Sequence, residues 1–575
     1  MDVPYAAMAI GAKKQQQPSL RSSRPSPQAF APSDRAGAPG PPALGVLLDA
    51  AGVVLLGLGL WATLQSVRAP LNYFDEGMLL SDALFLRHGL AAYRDFYSPY
   101  PPGAPLLVAG LWWLTGVGAL PVRFLGLAVR LAFVVCCGRL AGRLEGRRFS
   151  LLAAGLVAWW MAILPLPPYG WRLAMLCSVL FLELFDRACR RSQAWRFALA
   201  GAALGAVGVF RHDLFGFLAA GLVLYALVPD AWLAAAGAER PARQSWAWTA
   251  LGALVPLLAV WLPVLVIAGL EQPFAELLLD QARYVLPARH LPFPTDLFHL
   301  APASPLPFSL PRLLTSSLRG AAPLVVLAPF GAALWIASRR RAQLDSTPLL
   351  LCGLLAAAVV PQLLGRTDRI HAVSTVPPAL MLAAAALGSA RRQRGGSVLG
   401  LLSIAALAMP PLAELAPAFA SSAPSRWAEP HGRDAGLRVG SPATAAARGD
   451  LLRYLASHTA ADERILIGNA THRNVYANEV DLYFLADRLP ATRFAQYDTG
   501  VIERAEVQAE IIGSLESSCN HVVVLSSAPP PVGPLAGERL LDTYIATHYR
   551  ESARFDPYVV QVRTDLPKGC SPEPR

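Results

Sequence analysis

Apolar residues along this chain fall into long runs separated by short polar stretches, many of them carrying arginines. The first run, near 43–67, is long enough to cross a bilayer, which takes about 20 residues. Further runs lie near 104–118, 120–138, 149–164, 173–188, 195–210, 214–229, 247–269, 321–337, 348–364, 372–390 and 397–416. The pattern predicts a mainly α-helical, polytopic membrane bundle. If every run crossed, with the N-terminus inside, Arg139, Arg143, Arg147 and Arg148 would lie outside, as would Arg187, Arg190, Arg191 and Arg196. That arrangement opposes the positive-inside rule. The 104–118 run is short and follows the helix-breaking stretch Pro99–Pro105. If it does not cross, every later loop changes side. Both arginine clusters then fall inside, together with Arg240/Arg243, Arg339–Arg341 and Arg391/Arg392/Arg394. We therefore read about 11 spans, with 104–118 a re-entrant or interfacial segment on the outer side.

This reading divides the chain. Residues 1–42 are rich in Pro, Ser, Gln and Ala and carry too few apolar residues to order themselves, which predicts a disordered cytoplasmic N-terminus. The apolar run after it exceeds the 7–15 residues of a signal-peptide core, so an uncleaved first helix is expected. Residues 43–416 form the transmembrane domain. Its outer regions are the first loop 68–119, the loops 165–172 and 270–320, and short turns at Arg211 and 365–371. A Pro/Ala/Ser linker at 417–446 leads to an external domain at 447–575. There, helical patterns at 447–459, 502–516 and 537–549 alternate with apolar strands at 464–468, 521–525 and 558–562, as in a small α/β domain.

Composition excludes other classes. Of 575 residues 54% are hydrophobic and 15% charged, and the mean hydropathy is +0.40, which rules out a soluble enzyme or a disordered chain. The net charge of +11 sits mostly in the loops between apolar runs, so it reports topology and not nucleic-acid binding. Five of the seven cysteines lie in or beside apolar runs. Cys519 and Cys570 lie in the tail, which this topology puts in an oxidising compartment, and they are expected to form a disulfide.

Candidate chemistry concentrates at the outer ends. The first loop opens with Asn72-Tyr73-Phe74-Asp75-Glu76-Gly77 and closes with Tyr93-Arg94-Asp95-Phe96-Tyr97-Ser98-Pro99-Tyr100-Pro101-Pro102-Gly103. Adjacent carboxylates among aromatic residues at the membrane boundary suit a general base, because a low local dielectric raises a carboxylate's basicity. The plainer alternative is a solvated helix cap. The turns Val209-Phe210-Arg211-His212-Asp213 and Gly365-Arg366-Thr367-Asp368-Arg369-Ile370-His371 each combine arginine, aspartate and histidine. Guanidinium groups bind phosphate bidentately, although such turns also end helices and hold lipid head groups. Mid-span Arg130 reads as structural, with Glu183 at similar depth as one candidate counterion.

Asp75-Glu76 after the first span, the Tyr-Pro-Pro-Gly closure, the basic residue at the Phe210-Arg211 turn and the Gly-Arg-x-Asp-x-x-His turn together resemble GT-C glycosyltransferases. That superfamily includes protein O-mannosyltransferases and lipid A aminoarabinose transferases. The resemblance covers roughly 43–416, and the tail looks like the external domain of many bacterial members. It implies transfer of a sugar from a polyprenyl-phosphate donor to a glycan, lipid or protein acceptor at the outer face of the bacterial inner membrane. Asp75 would be the base, with Glu76 next. Arg211, Arg366, Arg369 and His371 would hold the donor phosphate, and Tyr100, Pro101 and Pro102 would shape the loop wall. The chain departs from the family in the second outer loop, 165–172, which has no acidic residue. No metal ligand is therefore assigned, and a divalent metal stays an open alternative. The rival classes are a transporter or flippase of lipid-linked sugars and a membrane-anchored glycan-binding protein. Ionisable residues at the outer ends, and no visible repeat, favour the enzyme over the transporter.

Overall fold

The computed structural model describes residues 42–145, 147–230, 241–289, 352–359, 361, 373, 375–382, 408, 411–412, 415, 432–439, 442–528 and 537–565. The expected spans near 321–337 and most of 397–416, the site residues Arg366, Arg369 and His371, and Cys570 lie outside them.

The apolar runs become helices: α1 (Pro42–Ser66), α4 (Ala119–Glu145), α5 (Arg147–Met161), α6 (Gly170–Arg191), α7 (Ala194–Phe210), α8 (His212–Leu227) and α9 (Arg243–Ala268). Among the described residues three stretches are long and apolar enough to cross a membrane: Val46–Ser66, Ala119–Arg143 and Arg243–Ala268. Two helices precede α4 in the segment 68–119, α2 (Asp75–Arg87) and α3 (Gly103–Thr115). α3 covers the 104–118 run in 13 residues. At 1.5 Å per residue it is about 20 Å long, too short for a hydrocarbon core of about 30 Å. It ends at Gly116, whose φ of +79° breaks the helix.

Small residues set the helix packing. A side chain at Gly201 or Gly205 would run into the carbonyls of Thr249 and Ala253, and one at Gly252 into that of Ala198, so α7 and α9 meet backbone to backbone. Gly52, Gly59 and Gly155 do the same for α1 and α5. Lipid tails are as apolar as leucine, so close approach of this kind supplies the dispersion contacts that hold such helices together.

At one end of α4 and α6, Glu183 meets Arg139 at 3.1 Å, Arg143 at 3.6 Å and Arg187 at 2.5 Å. Asp186 pairs there with Arg143 and Arg190. Glu183 is therefore not the partner of Arg130, and that candidate pairing is not found. Arg139 lies nine residues, about 13 Å of helix, beyond Arg130 and is level with Glu183. Arg130 instead donates to Thr63 Oγ1 and to the carbonyls of Leu164 and Pro165.

The tail comprises α10 (Pro442–His458), β1 (Arg464–Asn469), α11 (Asp481–Ala486), β2 (Leu489–Pro490), α12 (Ala505–Ser517), β3 (Val522–Ser526), α13 (Leu540–His548), β4 (Tyr549–Phe555) and β5 (Tyr558–Arg563). The sheet order is β2-β1-β3-β5-β4, with β1 parallel to β2 and β3 and the other pairs antiparallel. Cys519 is disulfide-bonded, whereas Cys136, Cys137, Cys177, Cys189 and Cys352 are free.

The segment 68–119 and the tail share one core. Phe85, Ala92, Tyr93 and Phe96 pack with Leu451, Ile465, Ile467, Tyr483 and Val522. Trp112 stacks on Phe484 with ring centres 5.6 Å apart. Ser81 donates to the Val480 carbonyl, and the Asp481 N–H to that of Tyr73. Arg493 closes the joint from the tail side, pairing with Glu276 and donating to the Tyr93 carbonyl, while Glu276 also accepts the Ser98 N–H.

Burial pushes the Glu276 carboxyl up from 4.5 to about 8, outweighing the opposing guanidinium of Arg493. The folded protein thus holds this proton more tightly than the unfolded chain does. The associated stability is complete below about pH 4.5 and is lost as pH rises through about 8. Glu276→Gln keeps an acceptor for Ser98 and should flatten the fall of melting temperature over that interval. Differential scanning fluorimetry of both proteins in the same detergent measures it.

Candidate functional site

Asp75 is the first residue of α2 and is half-buried. The helix start is organised by Asn72, whose Oδ1 accepts the N–H groups of Phe74 at 3.0 Å and Asp75 at 2.7 Å. Asn72 thus satisfies N–H groups at the helix start, while Asp75 and Glu76 lie in the first turn, where the plainer reading puts acidic residues. Glu76, the second candidate base in the sequence, is completely buried. Its two carboxylate oxygens meet Nε and Nη2 of Arg123, and Oε2 also accepts the Asn72 N–H. Arg123 donates further to the carbonyls of Ser66 and Pro70. One bidentate pair therefore ties the end of α1, the start of α4 and the start of α2 together, and so fixes where Asp75 stands.

Two further backbone approaches complete the site. Gly103, which ends the Tyr-Pro-Pro-Gly segment, lies so close to Val209 and Phe210 that a Cβ would overlap them. Gly170 lies equally close to the Phe210 carbonyl. The first loop, the second loop and the Arg211 turn therefore converge, with Pro101 and Pro102 buried in the wall. Tyr100 is 39% exposed, and its carbonyl accepts the hydroxyls of Tyr93 at 2.8 Å and Ser98 at 3.1 Å.

Arg211 lies with its guanidinium 5.3 Å from the ring centres of both Tyr100 and Trp171. It pairs bidentately with Asp213, Nε to Oδ1 at 2.9 Å and Nη2 to Oδ2 at 2.5 Å. Arg172 is the neighbouring cation. Its guanidinium packs 5.0 Å from the Tyr169 ring centre and donates to the Pro167 carbonyl. The charges of both Asp75 and Glu76 act on it. Trp171 and Arg172 also line a small apolar cavity with Arg130, Phe133, Met161 and Met175. On the tail side, Tyr73 lies within electrostatic reach of Tyr476 and Glu479 as well as Asp75.

Of the expected residues, the structure brings together Asp75, Glu76, Tyr100, Pro101, Pro102 and Arg211. It adds Asn72, Arg123, Tyr169, Trp171 and Arg172. The sequence signal for Arg172 is a basic residue directly after two closely spaced aromatics, Tyr169 and Trp171, at the start of an apolar run. Arg123 carries none, since its partner is 47 residues away. Among the described residues no group of three or more His, Cys, Asp or Glu is placed to hold a metal. A half-buried carboxylate, two guanidiniums and a set of aromatic rings at the ends of apolar helices can take up a proton and stabilise an anion.

No known family model matches the sequence, and no curated protein is similar to it in sequence. Solved structures are similar in fold. ArnT from Cupriavidus metallidurans bound to undecaprenyl phosphate shares 16% identity at a TM-score of 0.51, covering 90% of this chain and 97% of that one. Its apo state gives 0.50 over the same shares. The Archaeoglobus fulgidus oligosaccharyltransferase in the apo form shares 14% identity at 0.50, covering 83% of this chain and 69% of that one. This chain has the GT-C membrane fold.

Proposed function

We propose that this protein moves a sugar from a polyprenyl-phosphate-linked donor to an acceptor at the outer face of the bacterial cytoplasmic membrane, with Asp75 as the general base. The observation that carries this is the convergence of Asp75, Arg172 and Arg211 at one edge of the GT-C bundle. A lipid-linked donor keeps its phosphate at head-group level, so its reaction belongs at helix ends. The acceptor hydroxyl oxygen attacks the anomeric carbon and its proton passes to the Asp75 carboxylate. The bond from that carbon to the phosphate oxygen breaks, and the lipid phosphate leaves with its added negative charge. Arg211 and Arg172 stabilise that charge in a partly water-excluded site, and Arg366, Arg369 and His371 belong to the same role. Glu76, through Arg123, positions Asp75.

The direct test is mass spectrometry of lipid-linked sugars and envelope glycans with and without the gene. Loss of the gene should raise one lipid-linked sugar and remove one glycan modification. A lipid-linked sugar trapped on the inner leaflet would mean a flippase instead. In a reconstituted transfer assay, Arg211→Ala should cost about 2–4 kcal/mol in the transition state, which is about a 30- to 1000-fold loss. Normal turnover would make Arg211 a head-group anchor.

A further inference from the structure

Residues 271–289 leave α9 through Gly269, whose φ of +74° turns the chain. They continue as one helical segment that includes two π-helical stretches, Ala275–Leu279 and Gln281–Val285. Leu270, Phe274, Leu278 and Leu286 are 71%, 49%, 46% and 49% exposed, and Ala282 between them is exposed as well. These positions recur every four residues. Four α-helical steps overshoot a full turn by about 40°. Four π-helical steps, at about 4.4 residues per turn, fall short by about 30°. Mixing the two keeps a four-residue repeat on one straight stripe.

A second stripe, offset by two residues and so on the opposite face, is polar and faces the tail. Glu276 is buried against Arg493 and the Ser98 N–H. Asp280 pairs with Arg504 at 3.2 Å, and Tyr284 lies under the same guanidinium at 4.2 Å. The tail thus occupies one face of the segment and leaves the apolar stripe uncovered.

We infer that residues 270–289 form an interfacial helix lying on the lipid bilayer, so that the tail is clamped to a membrane-bound platform. The stripe continues directly from the exposed apolar surface of α9, where Leu254, Val255, Leu258, Leu262, Val266 and Ile267 face outward. α9 is one of the helices long and apolar enough to cross a membrane. An apolar face beginning where such a helix ends, with exposed Arg283 beside it, matches the acyl and head-group boundary of a lipid surface. This inference does not depend on the sugar-transfer reading.

The experiment places p-benzoylphenylalanine at Leu278, and separately at Leu286, in the full-length protein. Each variant is reconstituted in vesicles of phosphatidylethanolamine and phosphatidylglycerol, irradiated, and mapped by mass spectrometry. Leu258 on α9 serves as the lipid-facing control and exposed Ser517 in the tail as the aqueous one. Lipid adducts at 278 and 286 as abundant as at 258, with none at 517, are the expected result. Adducts to a peptide of the same chain or of a second copy, or no adduct at 278 and 286 while 258 is labelled, would overturn it.

Discussion

Asp75→Asn should lower glycosyl transfer by about 10²–10⁴-fold, the usual contribution of a general base, while leaving donor binding largely intact. The substitution keeps side-chain size and much of the hydrogen bonding but removes the proton acceptor. Asn72 caps the helix through backbone N–H groups and Glu76 holds the bundle, so neither anchor is disturbed. Single-turnover transfer beside a separate donor-binding measurement distinguishes loss of chemistry from loss of binding. Near-normal transfer by this variant would remove Asp75 from the mechanism.

Removing the Glu76 carboxylate should act on stability first. Glu76→Ala would leave the Arg123 guanidinium buried without its counterion, with both side chains at 3% exposure or less. Breaking a buried pair from one side costs about 3–5 kcal/mol, enough to lower the melting temperature and the yield of inserted protein. Glu76→Ala combined with Arg123→Met removes both charges and should recover much of that loss. Transfer in the double variant should still fall short of the parent protein, because α1 and α2 lose the tie that places Asp75. A thermal-shift series over the parent, Glu76→Ala, Arg123→Met and the double variant checks the coupling. Additive single effects would mean the pair contributes nothing as a pair.

The two substitutions concern adjacent residues of the same charge, and nothing local in the sequence separates them. Both lie in the first turn of α2 and follow the same span. What separates them is Arg123 on α4, reached only because α1, α2 and α4 pack together. The candidate Arg130–Glu183 pairing is absent for a related reason. Counting residues from helix ends locates each charge along its own helix, but the axial offset between two helices comes from packing. Three other arginines stand within reach of Glu183, and they win.

The tail shows the same division. β1, β3 and β5 are legible because runs of Val, Ile and Leu have no other stable use beside short helices. β2 is two residues long, and β4 alternates charged and polar residues that are mostly exposed. Neither carries enough apolar signal to be read, and each exists because a neighbouring strand supplies the hydrogen bonds.

Sequence alone determines the helices of the bundle and its resemblance to the GT-C fold, since a backbone in lipid must satisfy its hydrogen bonds within each apolar run. It also places Asp75, Tyr100 and Arg211 beside the ends of apolar runs. Tertiary structure alone decides that Gly103 and Gly170 bring those ends together against Phe210, that Arg172 joins them, and that Glu76 is buried beneath. Those contacts join residues tens of positions to about a hundred apart, and their free energy lies in packing and paired charge that no local pattern encodes.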